Sequence, residues 1–174
     1  MSDALTVSRP GFTATPVRGG RRFSLQGRAA TLDGTAKSLG LAEVPAMLGT
    51  AQAGKCTLLR LAPQELLIIT DDAGLPGKVT DYLVTIPHSL VEVSDRQVGW
   101  TLAGERLRDT LAALSPLDMR ARSFPVGRAT RTLFGKADGM VWRTSEDTFH
   151  LEVWRSFAPY IVAMLDAAAL DAAW

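Results

Sequence analysis

Apolar side chains group into short runs separated by turn residues, and the period within each run assigns most of the elements. Cys56-Thr57-Leu58-Leu59-Arg60-Leu61-Ala62 and Glu65-Leu66-Leu67-Ile68-Ile69-Thr70 are β-prone runs around Pro63-Gln64, which predicts an antiparallel hairpin. Ser89-Leu90-Val91-Glu92-Val93-Ser94 alternates apolar and polar positions as a half-buried strand does, and Trp100-Thr101-Leu102-Ala103 answers it as the return strand. Past Gly127 the pattern predicts three strands, at residues 129–134, 139–143 and 148–154, with turn chemistry at Gly135-Lys136-Ala137-Asp138 and Ser145-Glu146-Asp147. In the last strand Phe149, Leu151 and Val153 share one face and His150, Glu152 and Trp154 the other, which predicts an antiparallel sheet with a single buried side.

Helical periods are fewer. Residues 78–84 read as a short helix. Residues 105–114 carry Leu107, Leu111 and Leu114 on one face, and Pro116 stops further extension. A final helix is N-capped by Ser156, tolerates Pro159 in its first turn and shows a stripe of Phe157, Ile161, Met164 and Leu165. Residues 23–31 give a weak strand pattern, and residues 35–50, with Gly40, Pro45 and Gly49, favour short helical turns and loops. Residues 8–20 carry Pro10, Pro16, Gly11, Gly19 and Gly20 without a hydrophobic period, so residues 1–22 are expected to form a flexible arm. The remainder, 23–174, is expected to be one domain of two intimately packed halves, about 23–88 and 89–174. Hairpins with helices laid on one face give an α+β class.

A chain of 174 residues can bury roughly 70% of its unfolded surface and needs no staple to fold. With 47% apolar residues, 21% charged residues and a formal charge of +1, it has the composition of a globular protein, without the charge bias of a disordered one. Arg9, Arg18, Arg21, Arg22 and Arg28 recur near the start, but without interleaved aromatics they read as a solvated arm and not as a nucleic-acid surface. The single cysteine, Cys56, excludes an intramolecular disulfide and fits a reducing compartment. Met1-Ser2-Asp3-Ala4-Leu5 has no charged n-region or apolar core, and no run approaches the ~20 apolar residues that span a bilayer, so a cytoplasmic location without membrane attachment is expected.

Candidate chemistry is sparse. A nucleophile would need a base nearby, and the histidines are His88, behind a proline, and His150, in a strand, neither within a catalytic signature. Cys56 reads as a small core residue and His150 as structural or interfacial. No GxGxxG or P-loop pattern supports dinucleotide or phosphate binding. Asp109, Asp118, Glu146 and Asp147 lie on a helix face or in turns, where capping and solvation account for them. No catalytic, cofactor-binding or metal-binding residue is therefore assigned. One constellation is denser: Ser94-Asp95-Arg96 ends a strand, Leu114-Ser115-Pro116-Leu117-Asp118 ends a helix, Phe124-Pro125-Val126-Gly127 precedes a strand, and Arg155-Ser156-Phe157 opens the last helix. Asp95 and Asp118 can satisfy turn amides while Arg96 and Arg155 cross-brace loops, so Asp95, Arg96 and Arg155 are expected to be structurally important; a binding role is the alternative.

Read in order, these junctions resemble the gamma subunit of heterotetrameric sarcosine oxidase. The residues that carry the resemblance are Leu61-Ala62-Pro63-Gln64-Glu65, Val91-Glu92-Val93-Ser94-Asp95-Arg96, Leu102-Ala103-Gly104, Leu114-Ser115-Pro116-Leu117-Asp118, Phe124-Pro125-Val126-Gly127, Thr132 and Arg155-Ser156-Phe157-Ala158-Pro159-Tyr160, over about residues 58–165. The resemblance implies antiparallel sheets with helices on one face, in ferredoxin-like halves, as in the folate-binding domain of aminomethyltransferases. It also implies a complex that oxidatively demethylates sarcosine to glycine with oxygen and tetrahydrofolate, releasing hydrogen peroxide. In that family FAD, FMN, NAD, zinc and tetrahydrofolate belong to the other chains, and the gamma chain has no assigned catalytic residue to carry over. The partners so implied are alpha, beta and delta subunits, and the isolated chain is expected to be able to self-associate through the surface left open. Trp100, Trp142, Trp154 and Trp174 are candidate interface anchors. The rival is a stand-alone folate-binding or one-carbon-transfer protein, since a fold does not establish an activity.

Overall fold

The computed structural model describes residues 5–172. In chain order these form β1 (Val7–Arg9), β2 (Phe12–Pro16), β3 (Arg21–Gly27), α1 (Ala29–Ser38), β4 (Thr50–Ala53), β5 (Cys56–Ala62), β6 (Glu65–Thr70), α2 (Leu75–Tyr82) and β7 (His88–Glu92). There follow β8 (Gln97–Ala103), α3 (Leu107–Ala112), β9 (Ala129–Phe134), β10 (Ala137–Ser145), β11 (Thr148–Trp154) and α4 (Ala158–Asp171). The chain divides into two compact units, residues 19–94 and residues 1–18 with 95–174.

The 19–94 unit is built on a five-stranded antiparallel sheet of order β4-β5-β6-β3-β7. Without the edge strand β4, the succession β3-α1-β5-β6-α2-β7 is a βαββαβ path of ferredoxin-like order. Phe23, Leu25, Leu58, Leu66 and Ile68 meet Leu32 of α1 and Leu75, Val79 and Leu83 around α2. Gly34 permits that approach, because a Cβ there would lie 2.6 Å from Cδ2 of Leu83. Leu59 and Leu67, on the other face of β5 and β6, are buried as well. Burial on both faces explains why these two strands read as near-continuous apolar runs and do not alternate.

The other unit carries a six-stranded sheet, β1-β2-β8-β11-β10-β9. Here β8-α3-β10-β11-α4 repeats the βαββα part of the path, and β2 takes the place beside β8 that β7 takes beside β3. The fourth strand of this ferredoxin-like layout therefore comes from the N-terminal side of the chain. One face holds Trp100, Leu102, Phe149, Leu151, Val153 and Val141, packed with Leu107 and Leu111 of α3 and Ile161 and Leu165 of α4.

Several expectations change. Where residues 1–22 were expected to be a flexible arm, residues 7–16 form the β1–β2 hairpin, turned at Gly11 with φ +75°, and β3 already begins at Arg21. Phe12 and Ala14 alternate inward with exposed threonines, but a strand this short between glycines gives too brief a period to register. β7 pairs with β3, from Phe23 opposite Glu92 to Gly27 opposite His88, whereas β8 pairs with β2 and β11, so residues 100–103 are not its return strand. α1 occupies residues where a weak strand end, then short helical turns and loops, were expected: its small side chains and mid-helix Gly34 dilute the helical period. α3 is shorter than residues 105–114. Ser156 lies in a 3-10 turn, Arg155–Phe157, and makes no cap hydrogen bond to α4, while Phe157 is exposed; the buried stripe is Ala158, Ile161, Leu165, Ala168 and Ala169. The second face of β11 is not a solvated one, since His150 and Glu152 are both buried.

Candidate functional site

Two of the four junctions come together. The register of β8 and β11 sets Gln97 opposite Trp154, so the 3-10 turn Ser94–Arg96 and the 3-10 turn Arg155–Phe157 leave the same end of the sheet. The Arg96 guanidinium lies over the Trp154 ring, 5.6 Å from its centroid, and Arg155 Nη2 stands 3.7 Å from Asp95 Oδ1. All of these side chains face solvent: Trp154 is 51% and Phe157 39% exposed, the Arg155 side chain is 63% exposed, and that of Asp95 is fully so. An exposed pair at that distance contributes about 0–1 kcal/mol. Arg96 and Arg155 thus reach across between the two junctions, as the sequence suggested, but through exposed contacts that are individually weak.

The other two junctions do hold the fold. Asp118 accepts hydrogen bonds from the Arg120 amide (3.1 Å), Arg120 Nε (2.8 Å) and Nη2 (2.7 Å), and the Ser123 hydroxyl (2.7 Å). Arg120, then Ser123, hold its carboxyl well below the usual carboxylate range. Gly127, at φ +83°, donates its amide to Arg143 O at 2.9 Å. Arg143 is the polar residue that periodicity did not single out. Its buried guanidinium donates to Phe124 O (3.0 Å), Ser145 O (3.1 Å) and Glu146 O (2.7 Å) and lies 5.6 Å from the Phe149 ring centroid. Parity could have found it: Arg143 shares a face with Val141 and sits opposite Phe149, a charge at a core-facing position. Tyr160 of the last motif receives the Lys136 amide at 3.0 Å beneath the β9–β10 turn.

Among the tryptophans, Trp100 is core, its indole N–H donating to Leu5 O at 2.8 Å. Trp142 tilts against His150, ring centroids 6.0 Å apart, Trp154 is exposed, and Trp174 lies outside the described residues. His150 Nε2 meets Glu152 Oε1 at 2.9 Å, and Glu152 is only 1% exposed. His88 Nδ1 is 2.8 Å from Ile86 O. Cys56 is buried, and burial pushes its thiol up to about 11, away from nucleophilic use at neutral pH. Asp147 pairs with Arg108 at 3.1 Å on the surface. Among the described residues no group of three or more His, Cys, Asp or Glu side chains is placed to hold a metal ion.

The sequence profile of the sarcosine oxidase, gamma subunit family matches residues 27–171. The chain belongs to this family. A gamma subunit of sarcosine oxidase from an Arthrobacter species is 29% identical over 125 residues, which cover 66% of this chain and 62% of that relative. The match thus spans less than two thirds of the relative's length. A chain of heterotetrameric sarcosine oxidase from Corynebacterium sp. U-96, solved in complex with pyrrole 2-carboxylate, superposes with a TM-score of 0.87 at 22% identity, over 99% of this chain and 91% of that one. The glycine cleavage system aminomethyltransferase T from Bartonella henselae gives a TM-score of 0.65 at 11% identity, over 92% of this chain and 47% of that one. At these identities the two structures speak to the fold, which is the aminomethyltransferase-like α+β arrangement expected.

The family match reaches well beyond the motifs that first carried the resemblance. It takes in α1, which periodicity misread, and leaves out β1, β2 and most of β3. Both the exposed junctions and the buried Arg143 brace fall within it. This gamma-family chain therefore keeps some of its junction residues for folding and presents others to solvent.

Proposed function

We propose that this chain is a non-catalytic gamma subunit of a heterotetrameric sarcosine oxidase, acting in assembly and stability alongside alpha, beta and delta chains. In that complex the N-methyl carbon of sarcosine passes to tetrahydrofolate, glycine is released, and the electrons reduce oxygen to hydrogen peroxide. FAD, FMN, NAD, zinc and tetrahydrofolate are assigned to the companion chains. The observation that carries the reading is the family match over residues 27–171.

The arrangement of polar groups supports a role without chemistry. Arg143 and Asp118 are taken up in bracing loops, His150 is turned to Glu152, and the Cys56 thiol is held protonated. No helix among the described residues is long and apolar enough to cross a membrane, and a cytoplasmic location is part of the proposal. The test is capture of the tagged chain from its native cell extract, with an assay for sarcosine-dependent peroxide. Recovery of a large flavin-containing chain with that activity is the expected result. Recovery of the chain alone with folate bound would replace this reading with an independent one-carbon protein.

A further inference from the structure

Trp154 is an unusual use of a tryptophan. It ends β11 with half its surface in water, although the core-facing positions of the same strand, Phe149, Leu151 and Val153, are all buried. The fold draws little packing from the exposed half. The ring is held by Arg96, whose guanidinium covers one side and carries a positive charge to the rim. Arg155 and Phe157 follow on the next turn, so an apolar centre is bordered by two cations. Asp95 neutralises them only weakly, at 3.7 Å and in full solvent. Tryptophan and arginine so placed have the composition of an interface hot spot, and arginine stacked on an aromatic ring still offers its planar edge to a carboxylate.

Resting on the subunit reading above, we infer that Arg96, Trp154, Arg155 and Phe157 form the docking surface for a companion subunit, which presents an apolar side chain to Trp154 and carboxylates to Arg96 and Arg155. Charge decides the occupant. A second copy of this chain, docked through the same surface, would bring two arginines and the single carboxylate of Asp95 from each side, and so leaves the cations less completely paired than an acidic segment does. An acidic companion segment matches both the cations and the apolar centre. Ser94 is taken up inside the fold, accepting from the Arg22 amide and donating to Glu92, whereas the exposed Arg96, Arg155 and Phe157 of the same two junctions then have a common use.

The test compares capture of companion chains by the full-length wild type and by Arg96→Glu, Trp154→Ala and Tyr82→Ala, the last altering an exposed aromatic of the 19–94 unit. Trp154→Ala is expected to weaken capture about thirtyfold and Arg96→Glu about tenfold, while Tyr82→Ala stays at the wild-type level. Raising ionic strength is expected to weaken the wild type and to affect Arg96→Glu less. Arg96 is exposed, so its variant keeps the test intact if Trp154→Ala folds poorly. Wild-type capture matched within about twofold by both variants would overturn this surface while leaving the subunit reading in place. Wild type that captures nothing would overturn the subunit reading and this inference with it. A wild-type chain that dimerises alone, and loses that ability in Arg96→Glu, would put a second copy in place of the companion.

Discussion

Replacing Phe12 by alanine tests whether the N-terminal hairpin is part of the 95–172 fold. Phe12 is fully buried among Trp100, Leu102 and Leu107, and it begins the strand whose Thr13, Ala14, Thr15 and Pro16 stand opposite Ala103, Leu102, Thr101 and Trp100. Truncating a buried phenylalanine costs about 3–5 kcal/mol, from lost transfer energy and the cavity left behind. A small domain has about 5–15 kcal/mol in total, so this removes about a fifth or more of its stability. With a urea dependence of about 2 kcal/mol per molar, the unfolding midpoint should fall by about 2 M. Amide hydrogen exchange locates the loss: protection in β8 and β11 should drop, whereas β5 and β6 of the 19–94 unit should keep theirs. A midpoint shift below about 0.5 M, or unprotected amides at residues 12–15 in the wild type, would refute the reasoning.

Arg143→Met should destabilise by about 3 kcal/mol or more, because the carbonyls of Phe124, Ser145 and Glu146 lose a charged donor; Arg143→Lys should recover little, since one ammonium nitrogen cannot stand at the three separate positions of Nε, Nη1 and Nη2, and denaturant melts of both variants check this. Gly104→Ala should cost more than about 2 kcal/mol, as φ there is +127° and a Cβ would lie 2.2 Å from Gly11 O; a melt no different from wild type would disprove the close approach of these two turns. Glu92 is held at about 2, against an ordinary 4.5, by hydrogen bonds from Arg21 and then Ser94. Its stabilising effect is therefore complete above pH 4.5 and is lost as pH falls towards 2, so Glu92→Gln should flatten the acid limb of the stability profile through that window.

The sequence was most legible where one side of a strand is apolar and turn residues bracket it. β9 and β11 fall at the predicted residues 129–134 and 148–154, and the Pro63-Gln64 hairpin forms as expected. Legibility failed for three physical reasons. β1 and β2 are too short to show a period, although Phe12 and Ala14 alternate correctly. The small residues of α1 weaken its helical face, even though Gly34 is what lets Leu83 approach. Strand partnership is non-local: nothing within residues 89–103 says that β7 pairs with β3, nearly seventy residues earlier, and not with β8 next to it. For the candidate site, the four junctions were visible as motifs, and the part of Asp118 as acceptor for a turn amide was legible because its partners Arg120 and Ser123 lie two and five residues on. The non-local partners were not legible: Gly127 donates to Arg143 O, and Arg96 and Arg155 reach Trp154 and Asp95 across the end of the sheet.

Whether the chain works as a subunit is tested most directly by producing the companion chains of the proposed oxidase with and without it, then measuring the mass of the assembled species and its sarcosine-dependent peroxide production. The account predicts a complex that contains this chain in fixed proportion and that loses assembly, and activity with it, when the chain is omitted. Companion chains that assemble and oxidise sarcosine equally well without it, while the chain remains alone in solution, would contradict the account.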